Sequence, residues 1–381
     1  MRIIDEEQLE FDDVSIQPKR STLNSRSEVD IYRTFKWTSI DGNTHELTCK
    51  PVISAIMTTV GTTKMAYELV SRGYLASIEK HISYDDINKL YNDLMDLAHE
   101  KGENTHYFTD RISLSIGLND SLDVLKKLAL EHKVNIINVD CPNAYIPNFK
   151  KRVKEIRDLF PDAFMIAGVV VTSDLTTDLV NMGVNCISMG INAGSVCCTA
   201  EKTAVYRPLL SMIIDCADAA HQQNAYVMLS GGIKGCRDAC VALGAGCDIL
   251  MSGSLFAGTD EADGEIISKR YETSEIEHAF ANLTISKRIE KKFKKYFGMA
   301  SKYAMALYSS GGNYKTDEGR MKLIPYVGSL DSVLSELEGG IKSMMCFIGA
   351  KTMKEIPKKT TFYKIHHGLN DKFKSCESFL S

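Results

Sequence analysis

The sequence predicts an α/β fold, a (β/α)₈ TIM barrel with an N-terminal extension and a C-terminal flap and tail, on two observations. Eight short runs, nearly continuously apolar and rich in β-branched residues, recur between residues 51 and 253. Segments with helical spacing separate them, the alternation produced when helical crossovers join parallel strands that are buried on both faces. Eight such units in roughly 200 residues close most economically into a barrel, because an open doubly wound sheet usually has fewer strands.

The runs are PVISAI (51–56), YLASIE (74–79), ISLSIG (112–117), VNIINVD (134–140), AFMIAGV (163–169), CISMGI (186–191), AYVMLSG (225–231) and CDILMSG (247–253). Between the third and fourth, DSLDVLKKLALEHK gathers Leu122, Val124, Leu125, Leu128 and Leu130 on one broad helical face between charges. Ser83 and Asp120 stand where helix caps are expected. Residues 259–325 break the pattern with a highly charged stretch followed by the Gly-rich SSGGNYKTDEGRMK, which suits an excursion or flap. Within it KRIEKKFKK, Lys287 to Lys295, reads as an amphipathic helix with Ile289 and Phe293 inward and a solvated basic face. The expectation is one barrel domain over 1–381, its C-terminal segment being 326–381.

With 381 residues, 44% of them hydrophobic and 25% charged, the chain can bury one large core. Its net charge of -4 is spread along the chain and implies attraction to neither nucleic acid nor membrane. The start, MRIIDEEQLEFDD, is acidic where a signal peptide would be basic and then apolar, and no run approaches membrane-spanning length, so a cytoplasmic protein is expected. Eleven cysteines, mostly inside apolar runs, imply reduced thiols and not a disulfide framework.

Barrel chemistry sits at the C-terminal ends of the strands. There GINAGSVCCTAEKT (190–203) places Cys197 in a loop of small residues, where backbone amides could stabilise a thiolate. Cys197 is thus a candidate nucleophile, although Cys197 and Cys198 read equally well as small loop residues. SGG (230–232) and SGS (252–254) follow the seventh and eighth strands, where barrels form phosphate sites from backbone N–H groups. Either alone is an ordinary turn; the pair points to a phosphorylated ligand. Lys80 and His81 close the second strand, as contacts for a cofactor or anion or as solvated side chains.

Several longer motifs then carry a resemblance. FDDVSIQPKRSTLNSRSEVD (11–30), MTTVGTTKMA (57–66), GSVCCT (194–199), CADAAH (216–221), LFAG (255–258), FGMAS (297–301), GGIKSMMCFIGA (339–350) and KKTTF (358–362) resemble the IMP dehydrogenase and GMP reductase family over nearly the whole chain. The GMP reductase branch fits better, because EKHIS runs straight into a helical segment where the sister branch usually carries a regulatory CBS pair.

The resemblance implies attack of a cysteine on C2 of GMP, loss of ammonia, and hydride delivery from NADPH to release IMP. On that pattern Cys197 matches the nucleophile, Thr199 the threonine that helps ammonia leave, and Lys80 a lysine near the cofactor. Ser195, Gly231, Gly232 and Gly253 match phosphate-loop positions, Met299 and Ser301 match base contacts, and Met57 belongs to the first barrel loop of the substrate site. Asn192, in place of a glycine, and Gly194 correspond to a K+ site made by backbone carbonyls. A purine nucleoside monophosphate as ligand and a homotetramer are implied as well.

Other positions depart from the pattern. Lys302 aligns with the catalytic glutamate expected after the GMSS motif, and Ser230 replaces an aspartate that grips both ribose hydroxyls. Ile56 and Thr58 replace an asparagine and an aspartate, Val169 another asparagine, and Ser252 a phosphate-loop glycine; the changes at 56, 58 and 169 make the pocket less polar. Three readings follow: a working GMP reductase with altered support, a family enzyme for another purine nucleotide such as dGMP, and a catalytically silent binding or assembly protein.

Overall fold

In the computed structural model, residues 1, 3–39, 41–277, 283–308 and 317–365 are described, with the backbone alone at 272–277, 283–288, 307 and 308. A short strand β1 (Val14–Ile16) precedes a hairpin of β2 (Arg33–Thr38) and β3 (Thr44–Ser54). Strand and helix then alternate: α1 (Thr63–Ser71), β4 (Tyr74–Ile78), α2 (Tyr84–Glu100), β5 (Ile112–Ile116), α3 (Asp123–Glu131), β6 (Ile136–Asp140), α4 (Pro147–Leu159) and β7 (Phe164–Val170). They continue as α5 (Ser173–Asn181), β8 (Cys186–Met189), α6 (Thr199–Thr203), α7 (Leu209–His221), β9 (Tyr226–Ser230), α8 (Cys236–Gly244) and β10 (Ile249–Ser252).

Strands β3 to β10 pair in parallel in chain order, and β10 returns to β3, Leu250 opposite Val52 and Ser252 opposite Ser54. The sheet is therefore closed, and the eight apolar runs form its wall. Burial on both faces explains the unbroken apolar character of the runs: Ile53, Ala76, Ile137, Ile166 and Ile187 have no exposed surface. Strand β3 starts earlier than its run because its first half pairs antiparallel with β2, Arg33 opposite Cys49.

That hairpin seals the N-terminal end of the barrel. Phe35 and Trp37 pack edge-on against Phe164, with ring centroids 5.9 and 5.1 Å away, and Phe35 meets Tyr226 at 5.0 Å. Arg33 pairs with the buried Asp248, which also accepts the Val227 amide at 2.9 Å and lies 2.7 Å from His221 Nε2. With this end filled by aromatic rings, the C-terminal rim is left for chemistry.

Three sequence expectations are corrected. Leu125 and Leu128 face the barrel from α3, but Leu130 is 86% exposed and Val124 37% exposed. Two residues along a helix turn about 200°, which carries Leu130 off the face of Leu128. Ser83 does cap α2, accepting the Asp86 amide, whereas Asp120 turns back to accept the Gly117 amide at 2.7 Å and α3 is preceded by Leu122. The basic run 287–295 is strand, not helix.

It lies in a ribbon formed by β11 (Ile266–Glu277) and β12 (Leu283–Phe297), paired antiparallel from Ile266↔Lys294 to Glu277↔Leu283. Ile289 and Phe293 are four residues apart, a spacing that keeps them on one side of a strand as well as of a helix. After α9 (Lys302–Tyr308), β13 (Met321–Pro325) joins the base of the ribbon, Phe293↔Pro325 to Phe297↔Met321. Helices α10 (Leu330–Ile348) and α11 (Ile356–Lys359) follow, and β14 (Phe362–Lys364) pairs with β1. The ten described cysteines are free, and no described helix is long and apolar enough to cross a membrane.

Candidate active site

Parallel closure brings the ends of all eight strands to one rim, so residues far apart in sequence meet there. The loop after β8 turns at Asn192, whose φ of 62 is left-handed. Asparagine tolerates that conformation better than other residues with a Cβ, which accounts for its standing where a glycine is expected. Its side-chain oxygen accepts the Ala200 amide at 3.1 Å, tying the start of the loop to α6. The Cys197 amide donates to the Gly194 carbonyl at 3.0 Å, leaving that carbonyl one lone pair for a cation.

Cys197 is partly exposed, and its Sγ lies 3.3 Å from Thr199 Oγ1. Thr199 Oγ1 donates to Glu318 Oε2 at 2.7 Å. A hydroxyl has one proton, so with that proton directed at the carboxylate, the thiol must be the donor to Thr199. The three groups therefore form a directed chain from thiol to hydroxyl to carboxylate, along which a proton can leave Cys197.

Glu318 was not among the residues expected from sequence. Lys302 opens α9 with its side chain exposed; the carboxylate that reaches Thr199 comes instead from the chain returning toward β13. Its seat depends on Gly319, which bridges to both Cys197 and Ser301. A Cβ on Gly319 would lie 2.7 Å from the Ser301 amide, so only glycine lets these segments meet. The one signal in the sequence was an acid beside a glycine in the segment read as a flap.

The expected base contacts divide. Met299 faces the rim and accepts the Thr58 hydroxyl on its sulfur at 3.3 Å, while Ser301 is buried and its Oγ accepts the Ala304 amide, so it serves as the cap of α9. Met57 Sδ accepts the Tyr296 hydroxyl at 3.1 Å. Ile56 and Val169 are partly buried and pack against the core.

Among the expected phosphate positions, Gly231 and Gly232 have left-handed φ of 99 and 79, and Gly231 lies against Gly194, joining the β8 and β9 loops. The Gly231 amide is used by the Met251 carbonyl at 3.0 Å. Gly253 sits beneath the Tyr296 hydroxyl. Ser252 is buried and donates to the Ile233 carbonyl at 3.3 Å, tying the two loops together. Ser195 is partly buried on the cysteine loop. Ser230, partly buried, spends its hydroxyl proton on the weak acceptor Met251 Sδ at 3.5 Å and is readily redirected to a ligand.

Lys80 lies two residues beyond β4, with its side chain 41% exposed and its Nζ 3.6 Å from Asp120 Oδ2. Beside it, Asp140 ends β6; burial pushes its carboxyl up to about 6, with Lys80 pulling down and Asp120 pushing up. Neither Asp140 nor the buried Glu79, whose carboxyl burial also raises, was singled out from sequence. The Lys80 ammonium thus stands between two carboxyls, Asp120 and Asp140, at the rim.

Between the ordinary 3.8 and about 6 the folded chain holds an Asp140 proton that the unfolded chain has lost, so this group lowers stability as pH rises across that window. Infrared titration is expected to show a carboxyl band disappearing near pH 6 that Asp140→Asn lacks, and the urea midpoint of the variant should fall less over the window. A titration unchanged by the substitution would assign the band elsewhere.

A closed (β/α)₈ barrel whose reactive side chains gather over the C-terminal rim around an accessible thiol defines a barrel enzyme. The model of the IMP dehydrogenase / GMP reductase domain matches residues 8–370, and the chain belongs to that family. It is 34% identical to the GMP reductase of Buchnera aphidicola subsp. Schizaphis graminum over 375 residues, covering 96% of both chains. It is 35% identical to the GMP reductase of Vibrio parahaemolyticus over 377 residues, 98% of this chain and 99% of that one. The Phytophthora infestans GMP reductase is 34% identical over 376 residues, 98% and 94% of the two. The chain is thus an oxidoreductase of the GMP reductase-like kind.

Proposed function

We propose that this chain catalyses the NADPH-dependent reductive deamination of GMP to IMP through a thioimidate on Cys197. The observation that carries this reading is the chain Cys197, Thr199, Glu318, with contacts of 3.3 and 2.7 Å. Passing its proton through Thr199 to Glu318, Cys197 attacks C2 of the purine, forming an S–C2 bond. Glu318 then returns the proton through Thr199 to the exocyclic nitrogen, the C2–N2 bond breaks, and ammonia leaves. NADPH, when bound, supplies the hydride that reduces C2. The C2–S bond then breaks, its electrons return to sulfur, and IMP is released.

Lys80 and Asp140 would hold the cofactor's polar groups, and the loops at 230–232 and 252–254 with Ser195 would take the phosphate. Met57, Met299 and the apolar Ile56 and Val169 would enclose the base. The carbonyls of Asn192 and Gly194 would take a potassium ion, stiffening the cysteine loop, and the assembly would be a homotetramer.

The test is NADPH absorbance with GMP, with and without potassium; nucleotide-dependent oxidation supports the reading, and none removes it. Ser230 favours a second reading in which a deoxynucleotide or modified purine nucleotide is the substrate, since one hydroxyl cannot replace a bidentate carboxylate on the ribose. On that reading GMP and dGMP should have similar kcat/KM, and Ser230→Asp should raise the preference for GMP roughly 10- to 100-fold. A strong preference for GMP in the unaltered chain would sink it.

A further inference from the structure

The segment that carries Glu318 is strapped to the cysteine loop on both sides of Gly319. The Cys198 amide donates to the Glu318 carbonyl at 2.6 Å, and the Arg320 amide donates to the Val196 carbonyl at 2.9 Å. The Arg320 side chain then folds back over the same loop. Its Nε donates to Cys198 Sγ at 3.0 Å, and its Nη2 pairs with Glu201.

Glu201 belongs to α6, the helix that begins at Thr199, so Arg320 grips the cysteine loop and the threonine's helix together. An exposed ion pair contributes little by itself, and these side chains are 39% and 62% exposed. The rigid guanidinium fork, however, fixes two neighbours in one geometry, which a flexible ammonium does not.

We propose that Arg320 is a positioning residue, a latch that engages Glu201 and Cys198 together and so holds the Glu318 carboxylate on Thr199. It does not touch the reacting atoms. With the latch released, the segment rises from the loop, Glu318 leaves Thr199, and the barrel-rim pocket is unaltered. This inference rests on the role proposed for Glu318, but its main consequence is visible without turnover. Cys198 is only 6% exposed beneath Arg320, and release uncovers it.

The experiment measures alkylation of the full chain by N-ethylmaleimide, mapped by mass spectrometry, with no nucleotide or cofactor present. Arg320→Gln and Glu201→Gln break the ion pair from opposite sides, and each is expected to speed labelling of Cys198 roughly tenfold by local opening. Cys216, buried in α7, should stay unlabelled and so report that the barrel is folded. The charge exchange Arg320→Glu with Glu201→Arg should recover part of the protection. In the NADPH assay, Arg320→Gln should lower kcat roughly 10- to 100-fold while KM holds, as expected for a misplaced catalytic group.

Unchanged Cys198 labelling in both single variants would overturn the latch, whatever the activity. Faster labelling in a chain that does not reduce GMP would uphold the latch and reject the proposed function alone. A rise in KM with kcat unchanged would also overturn it, because that pattern marks lost ground-state binding.

Discussion

Replacing Cys197 by alanine should abolish nucleotide-dependent NADPH oxidation, a loss on the order of 10⁶ in kcat, the scale seen when the nucleophile of a covalent mechanism is removed. The size follows from the geometry. In this hydrogen-bonded chain Cys197 supplies the atom that bonds to carbon, so without the sulfur Thr199 and Glu318 have no nucleophile to deprotonate and C2 no atom to join. Mass spectrometry should separate chemistry from binding. The unaltered chain mixed with GMP alone should carry the mass of GMP less ammonia, and the variant should carry none while still binding the nucleotide in calorimetry. Equal oxidation by the two proteins would end the covalent mechanism.

Glu318→Gln should lower kcat by about 10² to 10⁴, the range for loss of a positioned acid or base, with KM little changed. Glutamine can still accept the Thr199 hydroxyl but cannot carry the proton away from it. The same reasoning predicts that Lys302→Ala leaves kcat unaffected and that Lys302→Glu does not rescue Glu318→Gln, since the carboxylate on Thr199 comes from 318. If Lys302→Ala proved as damaging as Glu318→Gln, the arrangement drawn around Thr199 would be wrong.

The contrast between 302 and 318 marks how far the sequence is legible. The barrel strands were readable because burial on both faces writes itself as an unbroken apolar run, from PVISAI to CDILMSG. Cys197 stood out as a candidate because it lies in a loop of small residues whose place after a strand is itself predictable, whereas Thr199 came only with the family resemblance. Glu318 lies 119 residues from Thr199 and reaches it only after the chain has gone out along β11, back along β12 and around α9. No local pattern records such a closure. Likewise Ile289 and Phe293 fit helix and strand alike, and the pairing partner that decides, β11, is set by tertiary structure.

Asp140 shows a different limit. Its position at the end of an apolar run was plain, but the raised carboxyl depends on burial and on Asp120, against the opposing pull of Lys80, both brought in from other loops. Environment of that kind exists only once the rim is assembled.

The closure of β10 onto β3 also bears on how the chain behaves at high concentration. An open sheet ends in rows of unpaired N–H and C=O groups that recruit neighbouring chains into fibrils, whereas the barrel wall, being cyclic, offers no such template. Open edges remain at β2, at β1 and β14, and at the outer strands β11 and β13, and on β11 the exposed Lys269 and Arg270 put charge on the edge that a second copy would approach. Edge-to-edge association should therefore respond to the salt and pH that screen or neutralise these charges, and hardly at all to the larger apolar surface locked inside the wall.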